Sequence, residues 1–284
     1  MWRQRTGSIL CPGCGQLVGV NDERCLNCGR ANPGLFGFAP LLRQLGGEYW
    51  FTPLVMWACG ALYLSALAVD WQGIEASGLL SLFSPSNRAL FVFGASGALP
   101  VFRYDRWWTV LSAGWLHAGV LHIGFNMMAV RNLLPPVVSL YGPSRAVIIY
   151  ILASIVGFAA SSAAGAWLSF LPRVFSGGGF TVGASAAICG LIGAIHYYGR
   201  RGGSSAARDA ANRMLIWLAL FGFMVPGIDN WAHLGGFVGG WLVARWLDPL
   251  LPERGDHALW ALALLAASAA SLVWSIVTGL PLLR

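Results

Sequence analysis

Seven stretches of this sequence run for about 17 to 25 residues with scarcely a charge, the length at which a helix rising 1.5 Å per residue crosses a bilayer's hydrocarbon. They lie near residues 51–69, 115–134, 144–165, 183–199, 212–228, 230–247 and 257–280. With 57% hydrophobic and only 10% charged side chains, the chain has too little polar surface to hide these runs inside a soluble core. The expected fold class is therefore an all-α polytopic membrane protein. The first 50 residues are polar and lack an apolar core segment, so no signal peptide is expected there.

The formal charge of +7 comes with 18 basic residues, all arginine, and their placement explains them. With the N-terminus in the cytoplasm, thirteen fall on cytoplasmic segments: Arg3, Arg5, Arg24, Arg30, Arg43, Arg131, Arg145, Arg200, Arg201, Arg208, Arg213, Arg245 and Arg254. Five fall outside: Arg88, Arg103, Arg106, Arg173 and Arg284. The positive-inside rule thus sets the N-terminus inside and the C-terminus outside, and no nucleic-acid partner is expected. A long segment, about 71–114, follows the first span on the outer side. Its aromatic residues, Trp107 and Trp108 among them, suit the outer leaflet's interface better than a soluble domain.

Before the spans stand two CxxC knuckles, Cys11-Pro-Gly-Cys14 and Cys25-Leu-Asn-Cys28, each followed by a glycine, Gly15 and Gly29. Four thiolates at that spacing suit one tetrahedral zinc, and the glycines permit the tight turns that aim them. A pair of disulfides is disfavoured in a reducing cytoplasm. With four sulfur ligands such a site is structural; what the ribbon binds is not legible. Cys59 and Cys189 fall inside spans and read as small apolar packing residues.

Polar side chains within spans are costly in hydrocarbon and ask for a function. The second span opens with His117, His122 and Asn126, the fourth with Gly183-Ala-Ser185, the sixth with Ala232-His233. These three spans all run from outside to inside, so their polar residues converge at one depth near the outer face. A hydroxyl, an imidazole and further donors shielded from lipid suit acyl transfer: Ser185 as nucleophile, His233 as the base that takes its proton. His122 and Asn126, one turn apart on one face, suit the oxyanion, with the Ser185 amide as a further donor. No acidic residue lies within these spans, so a dyad is expected rather than a triad. Ser96, in Gly94-Ala-Ser-Gly97, is a rival by motif, but lies in the outer segment without a following apolar helix or a base. No HExxH helix supports a metalloprotease, and no internal repeat supports a transporter.

The patterns HxxxxHxxxN, GxSx and AHxxGxxxG, in that order over about residues 50–250, resemble the rhomboid family of intramembrane serine proteases. The resemblance implies a Ser185–His233 dyad, oxyanion donors His122 and Asn126, and a supporting His117 that packs and hydrogen-bonds. It also matches Gly236 and Gly240, with Gly190 and Gly193 opposite, to the small residues that let the fourth and sixth spans approach. Ala186 replaces the commoner glycine after the nucleophile. Cys189 stands where the family often stacks an aromatic ring on the base, so other contacts must position His233. Trp108-Thr109 stands where the outer loop usually reads Trp-Arg, with Arg106 a candidate substitute. The expected organisation is a cytosolic zinc ribbon over 1–30, a linker over 31–50, a six-helix rhomboid-like core over 51–250, and a seventh transmembrane helix with the C-terminus over 251–284. The expected activity is endoproteolysis of transmembrane protein substrates near the outer face of the bilayer, with no cofactor for catalysis. The bacterial inner membrane is the expected location. The alternative is a catalytically silent rhomboid-like protein that binds or escorts membrane clients.

Overall fold

The computed structural model describes residues 4–34, 49–76, 78, 81–172, 174–225 and 227–283. Most of the expected linker, together with Arg3, Arg43, Arg173 and Arg284 of the charge count, lies outside them. The amino-terminal module is a two-stranded antiparallel hairpin, β1 (Ser8–Leu10) and β2 (Leu17–Gly19), paired Ser8 to Gly19 and Leu10 to Leu17. Alternation buries Ile9 and Val18 against Cys11 and Cys25.

The remainder is helical. Seven long helices match the seven runs: α1 (Phe51–Val69), α4 (Val120–Tyr141), α5 (Pro143–Trp167), α6 (Ser185–Arg201), α7 (Ser205–Met224), α8 (Asn230–Trp246) and α9 (Gly255–Gly279). Two short helices, α2 (Asn87–Phe93) and α3 (Thr109–Ser112), lie in the segment between α1 and α4. Among the described residues α1, α5 and α9 are long and apolar enough to cross a membrane by that measure alone. Of the other four, α6 and α8 are 17 residues long, α4 carries His122, Asn126 and Arg131, and α7 carries Arg208, Asp209 and Arg213. This is an all-α polytopic membrane fold with a six-helix core, α1 and α4–α8, plus one carboxy-terminal helix.

Burial separates centre from rim. Of the apolar stretch of α5, 67% is buried inside the protein, against 28% in α1 and 22% in α9, whose other faces are left for lipid. The core therefore sits between α5, α6 and α8. Glycine sets their spacing: a methyl on Gly240 of α8 would stand 2.2 Å from Gly190 O on α6, and one on Gly236 would stand 2.1 Å from Ala186 O. On the other flank of α8, a methyl on Gly235 would meet Ala160 of α5 at 2.8 Å. Backbones this close leave no room for a β-carbon, which is how small-residue stripes bring helices together without a hydrophobic drive.

One boundary differs from the sequence expectation, and one pairing was not expected. The second span begins as a helix at Val120, not near 115, because Gly119 adopts φ +155° and the Val120 amide bonds to Leu82 O at 3.0 Å. His117 therefore lies on the lead-in turn. The segment between α1 and α4 pairs with the strand-like run before α6. Ser96 N donates to Thr181 O at 3.0 Å, Thr181 N to Ser96 O at 2.8 Å, and the Ala98 and Leu99 amides to Gly178 O and Gly179 O, each at 2.9 Å.

Candidate active site

Ser185 is the first residue of α6, and the turn before it depends on Gly183. That residue has φ +132°, a conformation side chains rarely adopt, and its amide donates to Ala113 O at 3.0 Å. The ring of His122 is packed on its open side: a methyl on Gly183 would stand 2.6 Å from His122 Nε2 and 3.7 Å from Ser185 Oγ. The nucleophile candidate and the Nε2 edge of His122 therefore border one small volume. His122 Nδ1 accepts the Ala118 amide hydrogen at 3.3 Å, which assigns the ring's own hydrogen to Nε2, the atom facing that volume.

Asn126, buried one turn further along α4, donates from Nδ2 to His122 O at 2.8 Å. One of its two amide hydrogens is thus engaged with its own helix, leaving the other for the site. His117 packs edge-to-face on His122, with ring centroids 5.2 Å apart. It does not hydrogen-bond as the resemblance implied: both ring nitrogens are buried without a partner among the described residues. Its contribution here is the wall it makes behind His122.

His233 lies in the first turn of α8, three residues before Gly236, whose backbone abuts Ala186 O. The α6–α8 interlock therefore brings the starts of the two helices together. Among the described residues no hydrogen bond joins Ser185 Oγ to His233, and the buried His233 Nδ1 has no partner. Catalytic hydrogen bonds commonly tighten only when substrate is bound.

Cys189 is buried in the core, and among the described residues His233 makes no aromatic ring contact. The entry to the helix that carries His233 is tied down on several sides. Asp229 caps α8: Oδ1 accepts the Ala232 amide at 2.9 Å, and its carbonyl accepts the His233 amide at 3.1 Å. Its other carboxylate oxygen accepts from Ser161 Oγ of α5, which in turn accepts the Gly178 amide at 2.9 Å. Asn230 Nδ2 donates to Val174 O and Gly222 O, each at 3.2 Å, and Trp231 Nε1 to Phe175 O at 2.9 Å. The Asp-Asn-Trp run before Ala232-His233 was the available signal, since aspartate is a preferred helix cap.

Ser96 is fully buried and its hydroxyl is shared with Thr109 at 3.3 Å and Ser162 at 3.5 Å. It staples the segment before α4 to α5, and among the described residues no imidazole hydrogen-bonds to it.

The four amino-terminal cysteines converge. Their sulfur atoms all lie within 4.8 Å of one another, with Cys11–Cys28 at 3.7 Å and Cys14–Cys25 at 3.6 Å. Tetrahedral zinc with Zn–S near 2.3 Å requires sulfur separations of about 3.8 Å, so the donor set fits. The knuckles are built alike: Gly15 N bonds Cys11 O, Gly29 N bonds Cys25 O, and the two glycines take φ +74° and +72°. A hydrogen bond from the Asn27 side chain, with the Gln16 backbone, pulls the Cys14 thiol down to about 6, favouring the thiolate that ligates metal.

Comparison with known proteins bears on the helical part of the chain. The sequence model of the Rhomboid domain family matches residues 104–248. Rhomboid protease GluP of Bacillus subtilis is 31% identical over 175 residues, 61% of this chain and 32% of its own length. RHOMBOID-like protein 4 of Arabidopsis thaliana is 29% identical over 57% of this chain and 39% of its own, and Rhomboid-like protease 3 of Toxoplasma gondii 27% over 56% and 58%. The chain thus spans between about a third and three fifths of the length of these relatives.

Proposed function

The chain belongs to the rhomboid family, and from that premise we propose that it is a serine endopeptidase that cleaves transmembrane segments of other membrane proteins. Ser185 Oγ attacks the scissile carbonyl as His233 takes its proton, and the tetrahedral oxyanion settles against His122 Nε2–H, the free Asn126 hydrogen and the Ser185 amide. His233 then protonates the leaving amine, and water, activated by the same base, releases the acyl group. The observation that carries this reading is the glycine interlock of α6 on α8, with His122 seated on Gly183. Ser185 and His233 stand at the starts of their helices, so with the amino terminus cytoplasmic the cut falls near the outer face. A substrate helix must unwind there to expose a carbonyl, which favours glycine, proline or small residues. The four cysteines hold a structural zinc in a cytosolic ribbon, and the membrane is a bacterial plasma membrane.

The test is cleavage of a single-span substrate by purified protein in liposomes. Wild type cleaves, whereas Ser185→Ala and His233→Ala do not. Cleavage that survives Ser185→Ala refutes the mechanism, and none from wild type favours a silent client-binding protein.

A further inference from the structure

The helix α9 lies beyond the matched family region, 104–248, yet one of its stripes is polar. Ser268, Ser271, Ser275 and Gly279 follow at spacings of three and four residues, which places them on one face, and the three serines are buried. Serine in a lipid-bordering helix is a cost unless it finds a partner, and two of these do. Ser271 Oγ donates to Trp108 O at 2.7 Å, and Ser275 Oγ accepts from Trp108 Nε1 at 3.0 Å. Ser275 O accepts from Arg106 Nη2 at 2.9 Å, while the other arm of that guanidinium donates to Phe91 O at 2.5 Å. Arg106 is only 6% exposed and lies over the Phe91 ring, 4.3 Å from its centroid. Gly279 abuts α2, where a methyl would meet Val92 Cα at 2.8 Å.

The corner held in this way leads directly to the nucleophile's turn. From Arg106 and Trp108 the chain runs through α3 to Ala113, whose carbonyl holds the Gly183 amide. Ser112 Oγ of α3 donates to Gly94 O at 2.8 Å, two residues before the Ser96–Thr181 pairing. Two routes thus connect the serine stripe of α9 to residues 181–185. We propose that α9 is a positioning clamp for the protease site, in which Ser271 and Ser275 hold the Arg106–Trp108 corner and so fix the turn that presents Ser185. The proposal rests on Ser185 being the nucleophile.

The test uses the full chain in liposomes with two readouts, kcat and KM on a single-span substrate and the rate of Ser185 labelling by a fluorophosphonate, each normalised to the labelled fraction at completion. Ser275→Ala and Trp108→Phe are each expected to lower kcat and labelling rate on the order of 10-fold with KM within about 2-fold, the scale of a lost hydrogen bond of roughly 1.4 kcal/mol. Because both remove the same bond, the double variant should be little worse than either single one. Ser268→Ala, on the same stripe but bonded to nothing among the described residues, should behave as wild type. Wild-type kcat and labelling in Ser275→Ala or in Trp108→Phe overturn the clamp, as does an equal loss in Ser268→Ala. Failure of the underlying reading is distinguished by its own result, labelling or cleavage that persists in Ser185→Ala.

Discussion

Replacing Gly183 by alanine would plant a methyl 2.6 Å from His122 Nε2, where ordinary contact begins near 3.4 Å. The imidazole then has to retreat by about 0.8 Å, and misplacement on that scale is worth up to about 10²-fold in rate. Losing a single oxyanion donor outright costs about 10² to 10³ in kcat. A left-handed φ at a residue with a β-carbon adds about 1–2 kcal/mol of strain, which acts on stability and not on the chemical step. Gly183→Ala is therefore expected to lower kcat by about 10²-fold with KM nearly unchanged, and to lower Tm by a few degrees. His122→Ala removes the group that is displaced, so adding Gly183→Ala in that background should cost little further rate. The assay is steady-state cleavage of a single-span substrate in liposomes for the two single variants and the double. Gly183→Ala with kcat within 3-fold of wild type, or a double variant losing the product of the two single effects, refutes the assignment of His122 to the oxyanion.

Other outcomes follow from the same contacts. Gly240→Val forces a side chain into the backbone of Gly190 and should separate α6 from α8, abolishing fluorophosphonate labelling, whereas Gly124→Ala, with nothing within 4 Å of its added methyl, should label normally. Asp229→Asn keeps an amide-accepting cap and should retain most activity; Asp229→Ala should cost about 1 kcal/mol of stability, read as Tm, and lower kcat by loosening the helix that carries His233. Purified protein should carry about one zinc per chain by elemental analysis, released as falling pH protonates the thiolates and reduced in Cys14→Ser. Stripping it should leave cleavage of a single-span substrate intact.

The sequence was most legible where one physical rule acts alone. Hydrophobic length located seven helices because bilayer thickness leaves little choice, and the paired knuckles with Gly15 and Gly29 announced a four-sulfur cluster because only glycine suits those turns. Motif spacing set Ser185 and His233 at helix starts, and Gly236 and Gly240 at a close approach, since small residues have few other uses in a span. What escaped reading depends on partners distant in the chain. Nothing near Ser96 announces its pairing with Thr181, nor does anything near Trp108 point to Ser275, more than 160 residues away. The lead-in at His117 reads as helix in the sequence because apolar length does not register the break at Gly119. Asp229 lay in plain view as a cap, but its link to Ser161 joins two helices and is visible only once they are packed.

The central claim is that His233 activates Ser185, and the covalent adduct formed with a fluorophosphonate tests it most directly. Peptide mass spectrometry of the labelled full-length protein should place the adduct on Ser185 in wild type and find none in His233→Ala. An adduct on Ser96, or undiminished labelling of Ser185 without His233, would contradict the account.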